Sequence, residues 1–133
     1  MSLYVKKTKF GRGVFSTEPI KEGKIIEVCP VLVIQEKDSN RLMKTILQSY
    51  IFYWPADTQE DVKLEESETW EWSAVAFGYG SLYNHSSKPN AHWYIRRKKK
   101  ELVYVALKDI KPKTEITHNY EWPDWKNEME GIK

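Results

Sequence analysis

Tyr83-Asn84-His85-Ser86-Ser87-Lys88-Pro89-Asn90-Ala91 is the stretch on which the reading of the fold turns. Asn84 and His85 are residues whose short polar side chains bond nearby backbone and so favour turns over regular ladders. Asn84 opens a loop that Pro89 and Asn90 close. Upstream, EWSAVAFGYG over 71–80 gives a short apolar approach that ends in paired glycines. Downstream, ELVYVALKDI over 101–110 alternates as a strand does, and EITHNY over 115–120 reads as another. This half of the chain is therefore β structure around one ordered loop.

The first quarter reads the same way. Leu3-Tyr4-Val5-Lys6 alternates weakly, KTKFGRG supplies turn chemistry, and Val14-Phe15 restart an extended run. Pro19 and Gly23 bracket a turn before IIEVCPVLVI, whose β-branched content favours strand. Between residues 40 and 54 the pattern changes. Leu42, Met43, Ile46, Leu47, Tyr50, Ile51 and Trp54 recur at spacings of three and four, which predicts an amphipathic helix. Ser39 or Asn40 would cap it and Pro55 would stop it. Residues 57–69 are rich in acids and read as an exposed loop or broken hairpin. The expected organisation is a single domain over 1–133, with an inserted helix and acidic loop at 39–71 and an aromatic tail at 118–133. There is also an internal echo, in which FSTEPIKEGKIIE parallels VALKDIKPKTEIT so that Ile20 corresponds to Ile110 and Ile26 to Ile116. One β-turn unit used twice would produce it, whereas a solenoid needs more copies.

A length of 133 residues suits one continuous core. With 21 basic and 19 acidic side chains the formal charge is +2, which lacks the large positive excess of a dedicated nucleic-acid binder. The start MSLYVKKTKFGRG has no apolar core of a signal peptide, and no run approaches the roughly 20 apolar residues of a membrane helix. A lone cysteine, Cys29, leaves no intrachain disulfide and no thiolate zinc cluster. A cytoplasmic setting is expected, with a nuclear or host-nuclear one left open.

Three separated motifs then occur in a characteristic order: Gly11-Arg12-Gly13-Val14-Phe15, the Tyr83–Ala91 stretch, and Glu115-Ile116-Thr117-His118-Asn119-Tyr120. In this the chain resembles the SET-domain family of protein-lysine methyltransferases, and within it the minimal stand-alone viral and bacterial members. The resemblance implies a mostly β, β-clip-like SET fold of several small sheets, with a C-terminal pseudoknot and one short inserted helical region. It also implies S-adenosylmethionine as cofactor, S-adenosylhomocysteine as product, and a protein lysine as methyl acceptor.

Without the resemblance, Gly11 and Gly13 are hairpin residues, because a dinucleotide fingerprint needs a third glycine opening a helix and Val14-Phe15-Ser16-Thr17 continue as strand. With it, these glycines let backbone approach the cofactor's methionine part, and either Arg12 or Lys9 meets its carboxylate. Asn84 becomes the residue that fixes the cofactor's amino group, and the backbone at His85 contacts adenine. Ser86 to Asn90 form the loop under which the C-terminal segment threads. Tyr120 becomes the catalytic tyrosine, since a lysine amine with a pKa of ~10.4 must lose a proton and be desolvated before it can attack. Tyr50 matches a pocket tyrosine of the minimal relatives, Trp125 or Trp122 covers adenine, and Tyr79 and Tyr83 are candidates for the channel wall.

Several positions depart from the family pattern. Ser81 stands where an arginine is common and Ser87 where a cysteine is. His118 replaces a Phe or Tyr, Asn119 an acid, and Lys113 a turn glycine. No cysteine cluster follows Tyr120, so no metal is expected. The expected partner is a protein or peptide carrying a basic, lysine-containing segment, drawn by the acids between Glu60 and Glu71. A homodimer is expected because the chain has no accessory domain to complete its substrate side. The rival readings are a SET-fold module that binds protein tails without turnover, and a DNA-associated protein using Arg96-Arg97-Lys98-Lys99-Lys100. That basic run reads equally as a solvated hairpin tip.

Overall fold

The computed structural model describes residues 2–54 and 72–119, with Tyr53 described by its backbone alone. The chain divides into two compact units, the first built from Met1–Val28, Leu82–Trp93 and Val103–Lys133, the second from Cys29–Ser81 and Tyr94–Leu102. The expected class is the observed one, mostly β with small sheets and one short α-helix.

In the first unit β1 (Leu3–Thr8) and β2 (Gly11–Ser16) form an antiparallel hairpin, in register from Leu3↔Ser16 to Thr8↔Gly11. Tyr4 stacks on its partner Phe15 with ring centroids 5.6 Å apart. Two short strands from the far end of the sequence join them: β6 (Asn84–His85) and β9 (Glu115–His118), in the sheet order β1-β2-β9-β6. β9 runs antiparallel to β2 and parallel to β6. Its insertion there follows from side-chain alternation, because Ile116 lies opposite Val14 and both are fully buried.

The internal echo is a structural symmetry. Ile20 and Ile110 form an antiparallel bridge in which each N–H donates to the other's carbonyl, at 2.9 and 2.7 Å. Gly23 N–H donates to Ala106 O at 2.8 Å, and its counterpart Lys113 N–H donates to Ser16 O at 3.0 Å. The two turn units thus satisfy each other's backbone groups. Both turns need a left-handed residue, Gly23 at φ 83° in one and Lys113 at φ 64° in the other.

In the second unit the helix expected over 40–54 is three elements. An α-helix, α1, spans Glu36–Leu42, a 3-10 turn spans Ile46–Tyr50, and β4 spans Ile51–Trp54. Thr45 divides them: it is extended, its hydroxyl donates to Leu42 O at 2.8 Å and accepts from Leu47 N–H at 3.2 Å. The apolar spacing therefore spanned two elements, and Ile46, Leu47 and Tyr50 are 81%, 45% and 44% exposed instead of forming a buried stripe. The aromatic and β-branched run that follows pairs with β5 (Trp72–Ala76), from Ile51↔Val75 to Trp54↔Trp72. Ser39, expected as a cap, lies inside α1, where its buried hydroxyl bonds that of Ser73 on β5.

β5 pairs in turn with β3 (Ile25–Ile34), and the order β4-β5-β3-β8-β7 is completed by β7 (Ala91–Arg96) and β8 (Glu101–Ala106). The run Arg96–Lys100 closes the β7–β8 hairpin, with Lys98, Lys99 and Lys100 exposed. Arg96 pairs with Glu101 at 3.2 Å and lies over the Tyr94 ring. Among the described residues no helix is long and apolar enough to cross a membrane.

Candidate cofactor-binding site

The site is assembled on the sheet of the first unit. Lys9 and Phe10 form the tip of the β1–β2 hairpin, where Thr8 Oγ1 donates to Gly11 O at 2.7 Å and accepts from Phe10 N–H at 3.1 Å. Gly11 has φ 103°, so the turn itself needs glycine, and a Cβ there would meet nothing within 4 Å. Gly13 differs. A Cβ on it would overlap the Glu115 carboxylate and come within 3.0 Å of Thr8 Cγ2. The open ground beside the hairpin is at Gly11, whereas the room at Gly13 is taken by a side chain of β9.

Asn84 joins these strands. Its Nδ2 donates to Arg12 O at 3.0 Å and to Glu115 Oε2 at 2.7 Å. Two acceptors face this end of the amide, so it must be the NH2 end, and both of its hydrogens are used. Oδ1 remains, and it can only accept. The Arg12 side chain is exposed and, among the described residues, takes part in no ion pair. The amide that leaves this acceptor free thus bonds the backbone of Arg12, a residue with an exposed guanidinium that follows the open glycine backbone of Gly11. The acceptor and the guanidinium fit a ligand that carries an ammonium and a carboxylate, as the amino-acid part of S-adenosylmethionine does.

Asn90 holds β9 in place from the loop. Its Nδ2 donates to Glu115 O and its Oδ1 accepts from Thr117 N–H, both at 2.9 Å, so this buried side chain substitutes for a neighbouring strand. Ser86 N–H adds a bond to His118 O at 2.9 Å. The Asn84–Asn90 loop and the third motif are thus one hydrogen-bonded object.

Behind this polar layer lies an aromatic cluster. Tyr83 and Tyr104 are buried with ring centroids 4.0 Å apart, and His118 meets Tyr104 edge-on at 5.6 Å. The Tyr83 hydroxyl donates to Glu27 Oε1 at 2.7 Å. Burial pushes the His118 imidazole down from 6.5 to about 3, against a hydrogen bond with the Tyr83 backbone that acts the other way. His118 is therefore a neutral core residue. Burial also lowers His92, whose two ring nitrogens are out of water and unpartnered.

Gly11, Arg12, Gly13, Asn84 and His85 are brought together in the first unit, with His85 exposed beside Asn84. Tyr50 belongs to the second unit, at the end of the 3-10 turn, where its carbonyl accepts from Ser81 Oγ at 2.9 Å. Tyr120, Trp122, Trp125 and the acidic loop lie outside the described residues, as does the tail beyond Asn119. Glu115, Glu27 and Tyr104 were not singled out by sequence reasoning. No local signal marks Glu115: what brings it to the site is the register of β9, in which Thr117 on the same strand face is the partner of Asn84.

The profile of the SET domain matches residues 11–121, beginning at the first glycine of the hairpin. The chain belongs to the SET-domain family. It is 30% identical over 111 residues to the histone-lysine N-methyltransferase, H3 lysine-37 specific, of Schizosaccharomyces pombe, covering 83% of this chain and 66% of that protein. It therefore spans just under two thirds of that relative's length. Among solved structures it is similar to a candidate histone methyltransferase of Plasmodium falciparum, with 28% identity, a TM-score of 0.65, and coverage of 91% of this chain and all of the other. The Neurospora SET domain protein DIM-5, a histone lysine methyltransferase, shares the fold at 22% identity and a TM-score of 0.66, over 90% of this chain and 52% of its own. In this SET domain the three motifs are contiguous in space as far as they are described: the glycine hairpin, the asparagine loop and β9 meet at Asn84.

Proposed function

We propose that this SET domain transfers a methyl group from S-adenosylmethionine to the side-chain amine of a protein lysine. The observation that carries the proposal is the Asn84 amide. Its donors are fully used by Arg12 O and Glu115, which leaves an acceptor suited to an ammonium group beside an exposed arginine and a glycine with open space. Family membership supports the same reading.

When bound, S-adenosylmethionine supplies an activated methyl group on a positively charged sulfonium. The chain's own residues hold and orient. Asn84 Oδ1 accepts from the amino group, the Arg12 guanidinium pairs with the carboxylate, and the backbone at His85 borders the base. Tyr120 orients the lone pair of the lysine amine, Tyr50 is assigned to the reaction pocket, and Trp125 is assigned to covering adenine. These three assignments rest on the resemblance to the family. The substrate class is a basic, lysine-bearing protein tail, a reading supported by the histone H3 specificity of the S. pombe relative. A homodimer, each chain closing the other's substrate side, belongs to the same proposal.

Calorimetric titration of the purified protein with S-adenosylmethionine and with S-adenosylhomocysteine tests the reading, with Asn84→Ala as control. One-site binding that weakens by about 10-fold or more in the variant is expected. A folded protein that binds neither ligand would overturn it. Mass spectrometry of a basic histone-like peptide then separates enzyme from tail-binding module. Methylated peptide that is lost in Tyr120→Phe, with cofactor affinity kept, identifies the enzyme.

A further inference from the structure

Asn84 has no intrinsic reason to present its oxygen instead of its nitrogen to a ligand, because the two ends of a primary amide have nearly the same shape. What decides is the pair of acceptors on its other side. One of them, Arg12 O, is backbone and lies 3.0 Å away; the other, Glu115 Oε2 at 2.7 Å, is a charged side chain. Charge-assisted bonds are about twice as strong as neutral ones, so the carboxylate dominates the choice.

Glu115 is itself held. The backbone of β9 is pinned by Asn90 at Glu115 O and at Thr117 N–H, and by β2 through the Phe15↔Glu115 register. In the position it holds, the side chain uses the room left by Gly13, since a Cβ there would overlap the carboxylate. The second glycine of the hairpin motif therefore makes room for a residue of the protein, and the first motif reaches the second partly through the third.

We infer that Glu115 is the positioning residue that fixes the polarity of Asn84, so that the site accepts an ammonium group on its ligand. This rests on the proposed S-adenosylmethionine site. The carboxylate touches no ligand in this account. It acts by using the Asn84 N–H that would otherwise allow the amide to rotate and repel an ammonium.

The role separates from simple support of the fold by the choice of ligand. S-adenosylhomocysteine carries the ammonium, and 5′-methylthioadenosine shares its nucleoside and sulfur but has no amino-acid part. Titration of wild type, Glu115→Ala and Glu115→Gln with both ligands is the experiment. In Glu115→Ala, affinity for S-adenosylhomocysteine should fall about 10- to 100-fold while that for 5′-methylthioadenosine stays within about 3-fold. Glu115→Gln, which can still accept from Asn84, should recover most of the loss. Equal losses for the two ligands, or unchanged S-adenosylhomocysteine affinity in Glu115→Ala, would overturn the inference. A wild-type protein that binds neither ligand would instead count against the site reading beneath it.

Discussion

The two faces of β9 do opposite work within four residues. Glu115 and Thr117 are half-buried and lie on the side of Gly13, Phe15 and Asn84, whereas Ile116 and His118 are buried on the side of Val14 and the Tyr83–Tyr104 pair. Asn84 and Glu115 bond each other across this face, and of the Asn84 amide only Oδ1 is left to accept from a ligand, so the face is ordered by directional bonds. The second face is ordered by exclusion of water. The comparison teaches why this strand carries the family motif: alternation places a site residue and a core residue side by side, so neither can slip without the other.

The largest expected effect comes from charging the buried face. His118 is held near 3 in the fold against 6.5 when unfolded, so the unfolded chain takes up the proton first as pH falls. Its neutral form thus contributes fully above about pH 6.5, and that contribution is lost as pH falls toward 3, on the order of 3 kcal/mol by about pH 4. Burial of His92 acts in the same direction. Urea denaturation across this range should show the loss in wild type and a flatter profile in His118→Phe, which keeps a ring against Tyr104 and cannot titrate. Identical profiles would mean that His118 is not the sensitive group.

Asn90 serves both faces, because it holds the β9 backbone. Asn90→Ala removes two bonds to the strand and leaves Thr117 N–H and Glu115 O without that partner, for an expected loss of about 2 kcal/mol. It should also weaken S-adenosylhomocysteine binding, since Glu115 loses its anchor. A variant destabilised as expected but unchanged in ligand affinity would show that the site face is held by β2 alone.

Much of this was legible in the sequence. Alternation located β8 and β9, β-branched content located β3, and the repeated Ile-Lys turn marked the two units that the Ile20–Ile110 bridge joins, although the pairing itself was not read from it. The helix over 40–54 was misread because apolar spacing does not register an interruption such as Thr45, whose hydroxyl captures backbone groups and ends the helical run. Asn84, Gly11 and Gly13 were found by motif. Glu115 was not distinguished from other strand acids, since what makes it matter is its contact with Asn84, a residue 31 positions away. His118 stands out in the sequence only as a departure from a Phe or Tyr of the family, whereas its burial against Tyr104 is visible only in the fold.

The smallest effect sharpens the comparison by leaving both faces alone. Lys113 turns the chain into β9 at φ 64°, where its counterpart in the other turn unit is Gly23 at φ 83°. A side chain in this region costs roughly 1–2 kcal/mol, and glycine avoids that cost but gives up roughly 0.5–1 kcal/mol of unfolded-state entropy. Lys113→Gly should therefore stabilise by about 0.5 kcal/mol. Gly23→Ala should destabilise by a similar or larger amount, and only through the backbone, because a Cβ at Gly23 would meet nothing within 4 Å. Thermal melts of the two variants measure the same turn from opposite directions, and cofactor titration should find both unchanged. If Lys113→Gly weakened S-adenosylhomocysteine binding, the entry into β9 would be setting the register of Glu115 against Asn84, and the polar face would depend on its turn as much as on Asn90.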